Sequence, residues 1–375
     1  MSIRDLNVAV PMRSQTELTL FSEWQVAGGI ERVMLNLAGG LAELGVEVDL
    51  VVPRNGGLYP GLLDSRVKLI DLNASSMLAS IPALVRYLRK ARPAAVLSAH
   101  EHANVAALWA KKMSRVSARM VISMHLALLG GRPDKRDRWL TLATKCSYRL
   151  ADRIVAASRA VADDICKRQP ALASRVSVLP YPLISPSLFR EASQPVEHPW
   201  FRPGEPPVVL SVGRLCSPQK DFATLITAFA QVRRRQPCRL IILGEGPDRA
   251  KLSAMIESLG IGSDAALPGF QANPFAFMKR AATFVLSSRH EGMPCVLIEA
   301  LACGVPVIAT DCPGGSAEAL AHGKHGHLVP VGDAEALAST LSRVLQGGGI
   351  IPREASWKPF LVESAARQYR DILLP

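Results

Sequence analysis

Short apolar runs alternate with amphipathic segments along the chain, and this alternation constrains the fold more than any other feature. In the first half, apolar residues recur every three or four positions from Ile30 to Leu44, as on one face of a helix. Strand-type runs of this half lie at 6–10, 46–52, 67–71, 94–98, 119–124, 153–157 and 176–179. Strands that alternate with helices form parallel sheets with helices on both faces, so the sequence predicts an α/β fold.

The alternation is interrupted once, by eight prolines between residues 180 and 207. Proline at this density breaks helices and sheet ladders, so we predict a linker at 186–206. Runs typical of buried parallel strands follow it, at 207–213, 239–244, 283–288 and 305–310. We therefore predict two doubly wound, Rossmann-like domains whose strand ends face a shared cleft. Their predicted bounds are 1–185 and 207–357, with a helix over 358–375 that returns toward the first domain.

Composition indicates a soluble globular protein. Half of the 375 residues are apolar and a fifth are charged, and no apolar run approaches the roughly 18 residues that span a bilayer. The N-terminus contains Asp5 and reaches Pro11 after few apolar residues, which favours a first strand over a signal peptide. The seven cysteines are scattered without a C-x-x-C pair, so we expect neither a disulfide framework nor a zinc site. The expected location is the cytoplasm.

Positive charge is concentrated in the first half of the chain. Residues 1–190 hold 26 Lys/Arg and 15 Asp/Glu, whereas the whole chain has a net charge of +12. This asymmetry suggests an anionic partner, and two basic amphipathic stretches, 77–92 and 132–149, suggest an anionic membrane surface on the inner face of the plasma membrane. The alternative is that both helices cover the sheet with their apolar faces inward. Nucleic acid is not expected, because aromatic residues for base stacking are few.

Two glutamates stand out after the strand that ends near Leu286. Glu291 and Glu299 are eight residues apart, which corresponds to roughly 10 Å along a helix at 1.5 Å per residue. That separation suits contacts at opposite ends of an extended ligand, such as a sugar and a ribose. A solvated helix start with surface charge is the alternative.

Two cations follow another strand end. Arg214 and Lys220 lie on one short loop after Gly213, before a helix that Asp221 or Thr224 begins. Such a pair could clamp a diphosphate and stabilise charge on a leaving nucleotide without a metal. A pair of exposed basic residues is the alternative.

Two glycine-rich loops precede helices at other predicted strand ends. Gly28 and Gly29 come before the first long helix, and Gly314, Gly315 and Ser316 open a later one. Glycine lets backbone approach a ligand closely, and helix N-termini attract anions, so both loops are candidate phosphate contacts. Ordinary strand-to-helix loops are the alternative.

The remaining evidence on chemistry is one candidate histidine and the absence of several known catalytic and binding motifs. His125 closes the predicted strand 119–124 at the expected cleft edge, where it is either a ligand contact or structural. The sequence has no P-loop, and Arg249 stands where a dinucleotide fingerprint needs its third glycine. It also lacks D-x-D, H-E-x-x-H and G-x-S-x-G motifs, so no metal site is expected.

Together these segments resemble glycosyltransferase family 4, the retaining enzymes of the GT-B fold. The resemblance is strong over 208–332, in VVLSVGRLCSPQKDFATLITAFA, LIILGEGPDRAKL, the E-x7-E element HEGMPCVLIEALACGVPVIATD and GKHGHLVPVGD. It is looser in the first half, in GGIERV, SMH and RIVAASRAVADDI. The resemblance implies transfer of a hexosyl group from a nucleotide diphosphate sugar, such as a UDP-sugar or GDP-sugar, to an acceptor hydroxyl with retained configuration.

The resemblance also implies roles for individual residues. Arg214 and Lys220 would hold the donor phosphates, and Glu299 would accept the ribose hydroxyls. Glu291 would lie near the hydroxyls and reacting face of the donor sugar, and His125 would face that sugar.

The glycine loops take roles from the same resemblance. Gly28 and Gly29 would lie under the phosphates, and the backbone at Gly314, Gly315 and Ser316 would meet sugar or phosphate oxygens. Two positions depart from the family pattern and could alter sugar preference. His290 stands where an aromatic residue is frequent, and Gly315-Ser316-Ala317 replaces a frequent Gly-Pro-Arg.

The implied setting is bacterial-type synthesis of a cell-surface polysaccharide or glycolipid, with a sugar or a lipid-linked sugar as acceptor. The implied mechanism is front-face attack in which the leaving phosphate helps to deprotonate the acceptor, so the protein mainly positions and stabilises charge. Two alternatives stay open from the sequence. One is another enzyme on the same fold, such as a nucleotide-sugar epimerase or a phosphorylase. The other is a non-catalytic protein that binds sugar nucleotides.

Overall fold

The chain builds two parallel β-sheets. The computed structural model describes residues 16–23, 28–55, 63–125, 143–144 and 146–375. Within these ranges one sheet has seven strands and the other six. Helices cover both faces of each sheet, so the predicted pair of parallel α/β domains is confirmed.

The first sheet has the strand order β3-β2-β1-β4-β5-β6-β7, and its pairings are parallel. Its middle is apolar on both faces. Leu20 of β1, with Leu50 and Leu97 beside it, is buried in the core on one face, and Phe21, Val51 and Val96 are buried in the core on the other. Continuous apolar strands of this kind need cover on both sides. The strands are β1 Leu18–Ser22, β2 Val48–Val52, β3 Lys68–Asp71, β4 Ala95–Ala99, β5 Arg119–Met124, β6 Arg153–Ala156 and β7 Val176–Val178.

The second sheet has the order β10-β9-β8-β11-β12-β13, again with parallel pairing. Strand β8 lies in the interior of the sheet, between β9 and β11, and the carboxyl ends of such parallel strands are where α/β sheets bind ligands. The strands are β8 Val208–Val212, β9 Arg239–Leu243, β10 Ala265–Gly269, β11 Thr283–Leu286, β12 Val307–Thr310 and β13 His327–Val329.

Most α-helices of the described residues lie between consecutive strands. Those of the first half are α1 Gly29–Glu43, α2 Ile81–Ala91, α3 Glu101–Ser114, α4 Arg159–Arg168 and α5 Pro186–Ala192. Those of the second half are α6 Phe222–Arg233, α7 Arg249–Ser258, α8 Pro274–Arg280, α9 Cys295–Ala302, α10 Ser316–Ala319, α11 Ala334–Arg343 and α12 Val362–Leu373.

The strand pattern departs from the prediction at three places. Strand β1 at Leu18–Ser22 was not predicted, and the predicted run at 6–10 lies outside the described residues, so it stays a prediction. The edge strands β10 and β13 were also missed. Strand β10 reads AALPG, which has neither β-branched nor aromatic residues, and β13 has only three residues. Pro268 is tolerated in β10 because an edge strand needs fewer ladder hydrogen bonds.

The proline-rich stretch is partly helical, which corrects the view that proline excludes regular structure there. Helix α5 begins at Pro186, where the missing N–H has no hydrogen bond to lose. Earlier in the stretch, Tyr181, Leu183 and Ile184 are buried in the core of the second domain.

The chain crosses between the domains twice, and the two crossings run side by side. Ile184 on the outward path bridges Leu361 on the return path, and the Val362 N–H donates to the Ile184 carbonyl at 2.9 Å. Helix α12 then packs on the first domain: Ala366, Tyr369 and Leu373 are buried in its core. The contact with α1 is close, because a Cβ at Gly40 would lie 2.7 Å from Val362 Cγ1.

Helix α2 corrects one expectation about the basic stretch 77–92. Its apolar side chains Leu84, Val85 and Leu88 are buried in the first domain's core, so this face covers the sheet. Leu78 is exposed, in the short 3₁₀ turn that precedes α2. Most of the second basic stretch, 132–142 and residue 145, lies outside the described residues.

Candidate active site in the cleft

The loop after β8 is shaped by close backbone packing. Gly244 has a φ of +139°, and a Cβ there would overlap the carbonyl of Gly213. The Leu215 N–H donates to the Glu245 carbonyl at 2.8 Å, which ties the two loops together. Arg214 lies between Gly213 and Leu215. Its exposed side chain is at the carboxyl end of β8, where a ligand anion can reach it.

Lys220 and Glu291 are direct partners. The Lys220 ammonium donates to Oε1 of Glu291 at 2.6 Å, and the Ser288 hydroxyl donates to the same oxygen at 2.6 Å. Their side chains are only 17% and 7% exposed, so the pair is shielded from water. The helix after this loop begins at Phe222, with Asp221 as the N-cap that accepts from the Thr224 N–H, one of the two predicted starts.

Glu299 is buried and paired with a residue of the other domain. Nη1 of Arg32, on α1, donates to Oε1 of Glu299 on α9 at 3.3 Å. Burial raises the pKa of the Glu299 carboxyl above its ordinary value, and the charge of Arg32 acts in the opposite direction. Since α9 begins at Cys295, only part of the interval between the two glutamates is helical, and the roughly 10 Å estimate from helical rise does not describe it.

The glycines at 314 and 315 are accounted for by packing. Gly314 has a φ of +123°, and a Cβ there would overlap the carbonyl of Glu291. A Cβ on Gly315 would lie 2.5 Å from the Gly292 carbonyl. The backbone of the loop at Glu291 and Gly292 therefore occupies the space that side chains at 314 and 315 would need, and the two glycines allow this close packing. Contact of their N–H groups, or of the buried Ser316, with a ligand stays a prediction.

The loop at Gly28 and Gly29 is the N-terminus of α1. Gly28 is the N-cap, and the carboxyl of Glu31 folds back over it, so that a Cβ at Gly28 would overlap Oε2 of Glu31. Burial raises the pKa of Glu31 to about 7. The Glu31 carboxyl occupies the space at this helix N-terminus, so a phosphate here would compete with it. Gly29 lies against α9: a Cβ there would be 3.1 Å from Cys295 Sγ.

His125 follows β5 and is buried against Tyr181. Its Nδ1 lies 2.5 Å from the Tyr181 hydroxyl, whereas its Nε2 is buried without a hydrogen-bond partner among the described residues. Burial lowers the pKa of His125 to about 3, so the ring is neutral near pH 7. The ring of His100, which follows β4, lies 6.0 Å away. The Nε2 of a neutral imidazole can donate a hydrogen bond to a ligand hydroxyl or accept one from it, depending on the tautomer.

The five predicted side chains thus come from both domains, and three of their pairings were not foreseen. These pairings are Lys220 with Glu291, Glu299 with Arg32 and His125 with Tyr181. Sequence reasoning missed Arg32 and Tyr181. Arg32 lies within the GGIERV segment, where a cation among the apolar positions of α1 was the available signal. Tyr181 lies in the proline-rich stretch, where its aromatic side chain was the signal for burial.

Two family models match the chain on either side of the domain crossing. The model described as glycosyltransferase family 4 matches residues 27–183, and the model described as glycosyl transferases group 1 matches residues 196–358. The chain belongs to the family 4 type of glycosyltransferase. The family expectation is confirmed, and the match does not favour the epimerase or non-catalytic alternatives.

Curated relatives of this glycosyltransferase carry related names. It is 28% identical to the lipopolysaccharide core biosynthesis glycosyltransferase LpsE of Rhizobium meliloti, over 88% of each chain. It is 25% identical to the amylovoran biosynthesis glycosyltransferase AmsD of Erwinia amylovora, over 92% of this chain and 96% of that protein. A match to an uncharacterized glycosyltransferase of Methanocaldococcus jannaschii, at 29% identity, spans 63% of this chain and 60% of that protein.

Solved structures share the fold. Anabaena HepE, in complex with UDP and glucose, aligns with a TM-score of 0.76 at 20% identity, over 95% of this glycosyltransferase and 99% of HepE. The lipopolysaccharide outer core galactosyltransferase WaaB aligns with a TM-score of 0.67 at 22% identity, over 95% and 98% of the two chains. The predicted GT-B fold is therefore confirmed.

Proposed function

We propose that this glycosyltransferase moves a hexosyl group from a UDP-sugar or GDP-sugar to an acceptor hydroxyl, with retention of the anomeric configuration. The observation that carries the proposal is the set of charged side chains at the carboxyl ends of β8 and β11. Two cations, Arg214 and Lys220, lie on one loop, and two buried carboxylates, Glu291 and Glu299, lie before and on α9. Such a set matches a ligand with a diphosphate between two hydroxyl-rich ends.

Each residue has a role in this mechanism. Arg214 and Lys220 stabilise the charge that develops on the leaving diphosphate, without a metal ion. Glu299 accepts the ribose hydroxyls, and Glu291 accepts hydroxyls of the donor sugar. His125 binds the same sugar through its Nε2 from the first domain. The leaving phosphate takes the acceptor proton as the new glycosidic bond forms, so the protein contributes mainly by orientation.

Donor binding is tested with UDP, GDP, ADP and their sugars in a thermal-shift screen. We expect one uridine or guanosine series to raise the melting temperature, because binding to the folded state alone stabilises it. The anomeric configuration of the product, measured by NMR, tests retention. Transfer should survive excess chelator; loss of transfer that magnesium or manganese restores would contradict the metal-independent mechanism.

The names of two relatives suggest the class of acceptor. LpsE and AmsD are named for lipopolysaccharide core and amylovoran biosynthesis. We therefore propose that this chain extends a cell-surface polysaccharide or glycolipid, with a lipid-linked sugar as acceptor, at the cytoplasmic face of the membrane. Among the described residues no helix is both long and apolar enough to cross a bilayer.

A surface formed by α3, α2 and the 3₁₀ turn before α2, here called the α2–α3 surface, supports peripheral attachment to an anionic membrane. Exposed apolar side chains lie beside cations here: Leu78 and Met113 are each 52% exposed and Trp109 is 39% exposed. Lys112 lies 5.0 Å from the Trp109 ring, and Arg89 donates to the Met113 carbonyl at 3.1 Å. Exposed tryptophan with neighbouring cations suits the interface between lipid headgroups and acyl chains. This α2–α3 surface replaces the buried face of α2 as the proposed docking site.

Co-sedimentation with vesicles tests the attachment. The protein should bind phosphatidylglycerol vesicles at low salt, bind less at high salt and bind neutral vesicles weakly, because each cation near an anionic leaflet contributes about 1 kcal/mol. Trp109→Ser should reduce the binding, whereas Phe270→Ser, at an exposed aromatic residue of the second domain, should not. Salt-independent binding to both vesicle types would contradict the proposal.

A further inference from the structure

The first turn of α1 lies along the first turn of α9, although the two helices belong to different domains. Gly29 faces Cys295, with 3.1 Å between a Cβ at Gly29 and the sulfur. One turn further along both helices, Arg32 pairs with Glu299 at 3.3 Å. Residues three or four apart share a helix face, so both contacts belong to one interface. Val33, next to Arg32, is buried in the core of the second domain.

The Arg32 side chain is held in place on the second domain. Its guanidinium carbon lies 5.1 Å from the centroid of the Phe275 ring, on α8, so the cation is held against an aromatic side chain as well as a carboxylate. Guanidinium stays charged at all relevant pH values and has a planar, fixed set of donors. It therefore fixes the direction in which the Glu299 carboxylate points.

We propose that Arg32 of the first domain is a positioning residue for nucleotide binding by the second domain, because it orients the Glu299 carboxylate to accept the ribose hydroxyls of the donor. This inference rests on the proposed assignment of the ribose to Glu299. An ionised carboxylate offers about four lone-pair sites, so a hydrogen bond from Arg32 leaves acceptors for hydroxyl groups.

Electrostatics support the same role. Glu299 is buried, which raises its pKa, and Glu191 nearby adds to this rise. The thiols of Cys295 and Cys303 also lie within electrostatic range and stay neutral, because burial raises the pKa of each. The charge of Arg32 favours the ionised carboxylate. Without Arg32 the carboxyl is protonated up to a higher pH, and a protonated carboxyl accepts fewer hydrogen bonds from a ribose.

The role makes nucleotide binding depend on contact between the domains. Arg32 reaches Glu299 only while the first turn of α1 lies on α9. A movement that separates the domains would leave Glu299 without this guanidinium and lower its affinity for ribose. Donor binding and domain closure should therefore favour each other, since a coupling between two equilibria acts in both directions.

The test compares nucleotides with and without the ribose 2′-hydroxyl. Binding of UDP and 2′-deoxy-UDP, and of GDP and 2′-deoxy-GDP, is measured by calorimetry on the full chain. The unaltered protein should prefer the ribose form of its nucleotide about tenfold or more, as expected for a hydrogen bond to a charged group. Arg32→Gln should reduce this preference to about onefold to threefold, and Arg32→Lys, which keeps the charge, should restore part of it.

A pH series gives a second readout that a merely structural role of Arg32 would not change. The ribose preference should fall as pH decreases through the pKa of Glu299, and this fall should move to higher pH in Arg32→Gln. Arg66→Gln is the matched control, because Arg66 pairs with Asp64 on the surface of the first domain. It should leave both the preference and its pH dependence unchanged.

The outcomes separate this inference from the proposed donor site. If Glu299→Gln keeps the preference for ribose, the ribose does not bind at Glu299. The assignment of the ribose to Glu299 and the positioning role of Arg32 are then both wrong. If Glu299→Gln abolishes the preference while Arg32→Gln and Arg32→Lys retain it in full, the role of Arg32 alone is refuted.

Discussion

Replacing Lys220 with methionine removes a charge that has two uses. In the protein without donor, the Lys220 ammonium neutralises the buried carboxylate of Glu291 across 2.6 Å. In the proposed complex the same ammonium meets the donor diphosphate. A hydrogen bond between charged groups contributes about 1.5–3 kcal/mol, so Lys220→Met should weaken binding of UDP or GDP about 10-fold to 150-fold.

The structure predicts opposite effects for the two members of this pair. Lys220→Met leaves the Glu291 carboxylate, 7% exposed, without its cation and should also lower the free energy of unfolding. Glu291→Gln removes an anion from beside the diphosphate, so free nucleotide should bind as well as before or a few-fold more tightly, while turnover is lost. The double variant should regain stability, because no charge is left unpaired, without regaining nucleotide affinity.

Calorimetry with UDP and GDP, together with urea unfolding, measures both quantities on the same four proteins. The matched control is Lys358→Met, at an exposed ion pair with Glu354. Equal loss of free-nucleotide affinity in Lys220→Met and Glu291→Gln would refute the assignment of these residues to different ends of the donor. Recovery of affinity in the double variant would show that the diphosphate does not bind at Lys220.

Three further outcomes follow from packing and burial. Gly40→Ala should be less stable than Gly39→Ala by about 1–3 kcal/mol in urea unfolding, because a Cβ at Gly40 crowds Val362 whereas one at Gly39 has room; equal stabilities would contradict the close packing of α12. Burial holds the pKa of His125 at about 3, against about 6.5 unfolded, so the unfolded chain binds an extra proton on acidification. Stability should therefore fall by about 2 kcal/mol from pH 7 to pH 5, and His125→Gln should lose this part of the slope; an unchanged slope would contradict it. Tyr181→Phe leaves Nδ1 of the buried His125 without its partner and should cost about 1–3 kcal/mol of unfolding free energy, and no change in urea unfolding would show that this hydrogen bond contributes nothing.

The pattern of apolar residues in the sequence was sufficient to predict most of the fold. Central strands such as β8 and β12 are buried on both faces and read as continuous apolar runs, so they could be found without a structure. Edge strands carry a weaker signal, because one side needs no partner and the composition is less restricted. That is why AALPG at β10 was missed. Pro186 was read as a breaker, although the first position of α5 tolerates proline.

The site was only partly predictable for a different reason. Strand ends and helix starts can be located by sequence, so Arg214, Lys220, Glu291 and Glu299 were identified as candidates. Their partners depend on how distant segments meet. Arg32 and Glu299 are separated by 267 positions and lie on different domains, and no local pattern specifies that approach. The geometry of domain contact, and not local propensity, sets this pair.

The return of α12 to the first domain affects how the protein is made. All seven described strands of the first sheet have been synthesised once residue 178 is added, and N-terminal domains generally fold first as units during synthesis. Here the core of that domain also needs Ala366, Tyr369 and Leu373, which are translated after the entire second sheet. Until those residues leave the ribosome, the α1 face around Gly40 stays uncovered and exposes apolar surface. A ribosome stalled near residue 360 should therefore carry a first domain that proteases and chaperones still recognise, although the described strands of both sheets have been synthesised by then.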